Sequence, residues 1–196
     1  MSIITPEIEY VDRSMESIRY LEHGWPSDLC RWHSHREFEL HLIVATRGKA
    51  FVGDYIGEFR PGSLFLTGPY LPHNWVTDEI TSRHVSTRDM LVQFDQESVN
   101  SLSLAFPEFD DMRPMFELAC SGIEFSGFDA KLVQRRLAEI RNSSGPSRIL
   151  AFLQLLVEIN QHAEMRQLSV AAVTQPKDLS LIHISEPTRL GMISYA

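Results

Sequence analysis

The sequence predicts a mainly β fold, a β-barrel or jelly roll, followed by an α-helical hairpin, and three observations carry that prediction. From about Ser17 to Phe94, short runs of β-branched, aromatic and aliphatic residues are separated by Gly, Pro, Asp-Tyr and Thr-Asp-Glu breaks, the punctuation of an all-β domain. The pattern changes between Gln96 and Ser98. Beyond it, two segments carry apolar residues at three- and four-residue intervals, the period of an amphipathic helix.

Taken in order, the elements follow from local chemistry. Phe38, Leu40, Leu42 and Val44 alternate with Glu37, Glu39, His41 and Ile43, which reads as a half-buried strand with one wetted face. Tight turns are expected at Arg47-Gly48-Lys49 and Pro61-Gly62. The run Gly57–Leu66 reads as a turn entering a short apolar strand, and Gly68–Trp75 brings His73 out of a proline-stiffened loop. Phe106-Pro107-Glu108-Phe109 is a short breaker, after which Pro114–Cys120 begins a helix capped by Ser121-Gly122. Asp129–Asn142 and Pro146–Ala163 give two more helices. Leu132, Val133, Leu137 and Ile140 form one stripe, and Ile149, Phe152, Leu153, Leu156, Val157 and Ile159 another. Two stripes imply an antiparallel pair, read mostly as intrachain core with some contribution to a homodimer interface.

Chemistry concentrates in two places. If residues 32–44 are extended, side chains two and six apart share a face, so His33, His35 and Glu39 converge there. A second strand carrying His73 completes the set. Imidazoles with one carboxylate suit a divalent metal such as Fe, Mn, Ni or Zn, and equally a polar pocket for a small ligand. The alternative is that these histidines simply face water.

Composition narrows the classes. The chain has 196 residues, 43% of them hydrophobic, enough for a compact domain of roughly 110 residues with a helical appendage of about 60. A formal charge of −8 opposes tight binding to phosphate backbones, and Arg135, Arg136 and Arg141 read as a solvated helix face. Cys30 and Cys120 sit in no Cys-x-x-Cys motif and read as reduced thiols of a cytoplasmic protein. Residues 1–20 lack the pattern of a signal peptide, and no apolar run approaches the ~20 residues needed to span a bilayer.

The residues resemble the cupin superfamily. Gly24, His33, His35, Glu39 and Gly48 follow the order of its first motif, with longer gaps at both ends. Pro61-Gly62 and Pro72-His73 look like the turn and histidine of its second, at a stretched spacing and without the asparagine that follows the histidine. The likeness carries the metal ligands over as His33, His35, Glu39 and His73. It narrows further: Glu37–Val44, Gly48–Gly57, Pro61–Leu64 and Leu71–Trp75, with helices from Met112 to Leu168, resemble the N-terminal sensing domain of AraC-family transcription regulators.

That resemblance implies a cupin-type sensing domain over residues 1–110, a helical segment for packing and dimerisation over 111–170 and a linker over 171–178. A small-molecule effector would then bind in the barrel, with His33, His35, Glu39 and His73 as polar contacts and Trp75, Tyr55 and Phe65 as aromatic walls. DNA would be gripped only by a C-terminal pair of helix-turn-helix units absent from this sequence. The tail accounts for that absence: Leu179–Arg189 and Ile193–Ala196 look like a translated transposase-type sequencing adapter, so 179–196 is set aside from fold reasoning. Two other readings are a metal-dependent cupin enzyme, such as a dioxygenase or isomerase, and a purely structural dimerisation domain. The helical extension places the non-enzymatic regulator first.

Overall fold

The computed structural model describes residues 5–10, 16–27, 31–78 and 84–170. Expectations on Cys30, on the linker 171–178 and on the segment 179–196 lie outside them. The strands in chain order are β1 (Glu7–Ile8), β2 (Ile18–Trp25), β3 (His33–Ser34), β4 (Phe38–Ile43), β5 (Gly48–Val52), β6 (Tyr55–Phe59), β7 (Leu64–Thr67), β8 (His73–Thr77) and β9 (Val85–Phe94). Then come helix α1 (Gln96–Ala105), a 3-10 turn (Pro107–Met112), helix α2 (Arg113–Ala119), strand β10 (Ile123–Ser126), helices α3 (Ala130–Asn142) and α4 (Gly145–His162), and strand β11 (Glu164–Gln167).

The fold is mainly β, with two sheets. A smaller one has the order β1-β3-β8-β5-β6 and a larger one the order β11-β10-β7-β4-β9-β2. All pairings are antiparallel except β1 with β3. The larger sheet is buried on both faces. On one, Phe38, Leu40, Leu42, Leu64, Leu66, Val92 and Phe94 pack against Val133, Leu137, Ile140, Phe152, Leu155, Leu156 and Ile159 of α3 and α4. On the other, Ile43 and Phe65 meet Ala50, Val52, Phe59 and Trp75 of the smaller sheet, so the two sheets pack face to face.

Strand β4 therefore departs from the half-wetted expectation. All six of its residues are buried, because helices cover one side and the second sheet covers the other. The polar positions Glu39 and His41 are only 3% and 2% exposed; they face the space between the sheets. Nor are residues 32–44 one strand. The chain bends between Ser34 and Phe38, crossing from the smaller sheet to the larger.

Two turns frame the strands around this space. The reversal expected at Arg47-Gly48-Lys49 falls earlier, at Thr46 with φ 71°, and Gly48 opens β5. A Cβ there would lie 1.9 Å from the Val76 carbonyl oxygen, so only glycine lets β8 pair at this point. At Pro61-Gly62 a turn does form, its Gly62 N–H donating to the Ile43 carbonyl over 2.8 Å.

The stretch from Met112 to Leu168, read as helical, also contains β10 and β11. Ile123 and Phe125 point into the core while Glu124 and Ser126 lie on the other side. Four residues of alternation are too short a signal against long helices on either flank; pairing with β7 and β11 supplies the rest. Within α4, Ile149 of the expected stripe is 41% exposed, while Leu155 is fully buried. Helix α3 starts where Asp129 Oδ1 accepts from the Lys131 N–H over 2.9 Å, an N-cap, and Arg136 ties it to Glu158 of α4 over 2.7 Å.

Past β11 the chain returns to the smaller sheet. Leu168 joins its core, Ser169 Oγ donates to Asp54 Oδ1 over 2.6 Å, and the Val170 N–H donates to the same oxygen over 3.0 Å. Asp54 sits in the turn between β5 and β6.

Candidate metal centre

Three of the four expected ligands meet. One ring nitrogen from each of His33, His35 and His73 lies within 4.8 Å of the others. His33 and His73 are brought together because β3 pairs β8 in a register that sets them opposite each other. His35 arrives from the bend before β4. Each ring is oriented through Nδ1: His33 toward the Arg31 carbonyl at 2.8 Å, His35 toward the Glu37 carbonyl at 3.1 Å and His73 toward the Leu71 carbonyl at 2.8 Å. A ring that donates from Nδ1 to a backbone carbonyl presents Nε2 as its ligand atom, the usual outer support of a metal-binding imidazole.

Glu39 closes the group from the larger sheet. Its Oε2 lies 3.3 Å from His35 Nε2 and its Oε1 3.7 Å from His73 Nε2. Gln93 Nε2 donates to Oε2 over 3.0 Å and His41 Nδ1 to Oε1 over 2.9 Å. Behind it, His41 Nε2 is 3.3 Å from Asp89 Oδ2. Asp89 also receives His23 Nδ1 at 2.8 Å and Arg88 Nε at 2.7 Å. The buried polar groups thus form one connected network, as interior charges must.

Burial and neighbours set the protonation states. Burial works against His35, but its hydrogen bond to Glu39 and the charge of that carboxylate raise it above its ordinary value. Burial likewise opposes His41, yet the charge of Asp89 and hydrogen bonds to both carboxylates push it up to about 9. Burial would raise Glu39 and Asp89. Hydrogen bonds from His35 and His41 instead hold Glu39 well below the carboxylate range, and the charge of His41 with the hydrogen bond from His23 does the same for Asp89. His73 goes the other way: burial pulls it down to about 3, more than the charge of Glu39 can offset. Its Nε2 is therefore a neutral lone pair, fully buried, with no hydrogen-bond partner.

These residues fit a metal. Two ligands of one ion with bonds of about 2.1 Å are at most about 4.2 Å apart, a small side-chain adjustment from the 4.8 Å seen here. Three imidazoles and a carboxylate suit Fe, Mn, Ni or Zn. Such an ion would supply Lewis acidity and open positions for a ligand, held by His33, His35 and His73 with Glu39 beside them.

A cavity of about 220 Å³ opens onto this cluster, lined by His33, Glu39, His41, Trp75, Gln93, Arg19 and others from β2, β8 and β9. The three expected aromatic walls divide. Trp75 lines the cavity, its ring 5.0 Å from that of His41. Phe65 is one layer back, stacked on Trp75 at 4.5 Å. Tyr55 is not part of the wall: its hydroxyl accepts from Arg166 over 3.0 Å, beneath that guanidinium. Residue-type reasoning had singled out neither His41 as a linker nor Arg88, Asp89, His23 and Gln93. In β9 Asp89 and Gln93, and in β2 Arg19 and His23, share a strand face four residues apart, but Leu91 and Leu21 between them interrupt the polar alternation.

No helix among the described residues is long and apolar enough to cross a membrane. Compared with models of known protein families and with curated proteins, the chain finds no match.

Proposed function

We propose that this protein holds a divalent first-row metal at His33, His35 and His73, with Glu39 completing the set, and binds a small-molecule effector in the adjoining cavity. In this reading the chain is the sensing and dimerisation portion of an AraC-type bacterial transcription regulator, and the two facing sheets are a cupin-type jelly roll. The observation that carries the metal is the buried, unpartnered Nε2 lone pair of His73 set against two further imidazoles. A neutral lone pair kept out of water without a donor costs stability unless a ligand takes it. The regulator reading is supported by the helical cover, which packs α3 and α4 onto the larger sheet and leaves Leu150, 68% exposed, for a second copy. DNA contact in such a regulator belongs to a separate pair of helix-turn-helix units.

Elemental analysis of protein purified from cells grown with Fe, Mn, Ni and Zn tests the metal. About one equivalent is expected, and less than about a tenth removes the tight site that four protein ligands would make. The regulator class is tested by the natural reading frame past Asp178. Roughly 100 further residues with two helix-turn-helix patterns and a basic balance support it, and an early stop codon sinks it. One observation favours a second reading, a metal-dependent cupin enzyme: the cavity reaches His33 and Glu39 directly, so a substrate has a path to the metal.

A further inference from the structure

The cavity wall carries three arginines, and two are already committed. Arg88 is bound to Asp89 over 2.6 Å and Arg31 to Glu7 over 2.9 Å. The Arg19 side chain lines the same cavity with no ion-pair or hydrogen-bond partner among the described residues. It stands in a row. Arg19 is opposite Gln93 in the β2–β9 register, and Gln93 is opposite Glu39 in the β9–β4 register. One line of side chains therefore runs from the cavity wall to the histidines, with Arg19 and Glu39 on backbones about 10 Å apart, two strand spacings.

Two further groups in this wall lack partners. Gln93 is 2% exposed and Trp75 3%, and both line the cavity. The Gln93 amide is oriented by the bond from its Nε2 to Glu39, which leaves its Oε1 a buried acceptor without a donor; the Trp75 indole N–H is a buried donor without an acceptor. A half-buried cation, a buried donor and a buried acceptor, none with a protein partner among the described residues, stand around one small cavity and define the complement of a ligand.

We infer that the cavity takes a small hydroxy-carboxylate. Its carboxylate pairs with the Arg19 guanidinium, a further oxygen accepts from Trp75 Nε1, and its hydroxyl donates to Gln93 Oε1. This inference rests on the cavity being the ligand site proposed above, and it adds the ligand's chemical class. A neutral ligand would leave Arg19 unmatched, and an acid without a hydroxyl would leave Gln93 Oε1 buried and unpaired.

Calorimetric titration of the full chain, metal-free and zinc-loaded, with malate, its diamide malamide and succinate tests the inference. Malate is expected to bind tightest, malamide about tenfold or more weaker through loss of the charged hydrogen bonds, and succinate weaker through the unmet acceptor. Arg19→Gln should bring malate down to the level of malamide while zinc content stays that of the parent protein. Trp75→Phe keeps the ring packing and should weaken malate while zinc content stays that of the parent protein, with circular dichroism and melting confirming that both variants fold. Equal affinity for malate and malamide, or malate binding untouched by Arg19→Gln, overturns the inference. So does the absence of binding by either acid with and without zinc. Zinc bound without malate leaves the metal reading standing and this one fallen; malate bound without zinc does the reverse.

Discussion

Asp89→Asn gives the sharpest test of how the polar interior is held. The Asp89 carboxylate is fully buried and takes three short contacts, from His23 Nδ1 at 2.8 Å, Arg88 Nε at 2.7 Å and Arg88 Nη2 at 2.6 Å, with His41 Nε2 at 3.3 Å. Asparagine keeps the volume and one acceptor but removes the negative charge that faces the Arg88 guanidinium, 3% exposed. Breaking a buried pair on one side costs about 3–5 kcal/mol, and the remaining acceptor places this case near about 3. At roughly 2–4 °C per kcal/mol for a domain of this size, Tm falls by about 9 °C.

The pH dependence of that loss has a definite sign. Asp89 is depressed below its ordinary 3.8, so its contribution is fully present above that value and fades as pH falls toward the native one. His41 is raised from 6.5 to about 9, in large part by Asp89, so its contribution is fully present below 6.5 and fades as pH rises through 9. The gap between parent and variant is thus widest from about pH 4 to 6.5 and narrows on both sides. Thermal melts followed by circular dichroism from pH 3 to 10, with chelator present so that bound metal adds nothing, measure it. A gap under about 2 °C at pH 6, or one that ignores pH, would refute the reasoning.

Three further outcomes are expected. His73→Ala, which removes the free lone pair, lowers zinc content to under about a tenth of an equivalent by elemental analysis, whereas a near-full complement would show that His73 is no ligand. Zinc must displace the proton that His35 holds above pH 6.5, so competition against a chromophoric chelator should show affinity dropping about tenfold per unit of pH below the His35 pKa, and a flat profile counts against His35 as a ligand. Phe94→Ala deletes a ring packed 4.8 Å from Phe152 and 5.4 Å from Phe38; urea unfolding should show a loss of about 3–5 kcal/mol, and under about 1 would mean the site collapses around the gap.

Much of this was legible in residue order, but for partly different reasons. His33, His35 and His73 could be grouped because His33-Ser34-His35 is followed, past the Pro61-Gly62 turn, by a histidine in a proline-stiffened loop. The face-sharing argument behind that grouping fails in detail, since the backbone bends between Ser34 and Phe38 and the meeting is made across two sheets. Alternation in β4 was plain, yet its burial on both sides depends on helices and a second sheet far away in sequence. A polar residue at period two looks the same whether it faces water or an interior cavity, which is why His41 reads as part of a wetted face. The hairpin of β10 with β11 hid because each strand is four residues long and joins residues separated by two helices.

The fastening of Val170 to Asp54 has a mechanical reading. The backbone leaves the described region bolted to the small sheet, whose β8 carries His73 and Trp75, rather than to the helices that precede it in sequence. Gly122 strengthens the fastening: its carbonyl accepts from the Leu168 N–H over 2.9 Å, and at φ +74° it passes beside Val52 and Leu71 of the same layer. Asp54 thereby ties the backbone at Val170 to the same sheet whose β8 sets His73 and Trp75 in place.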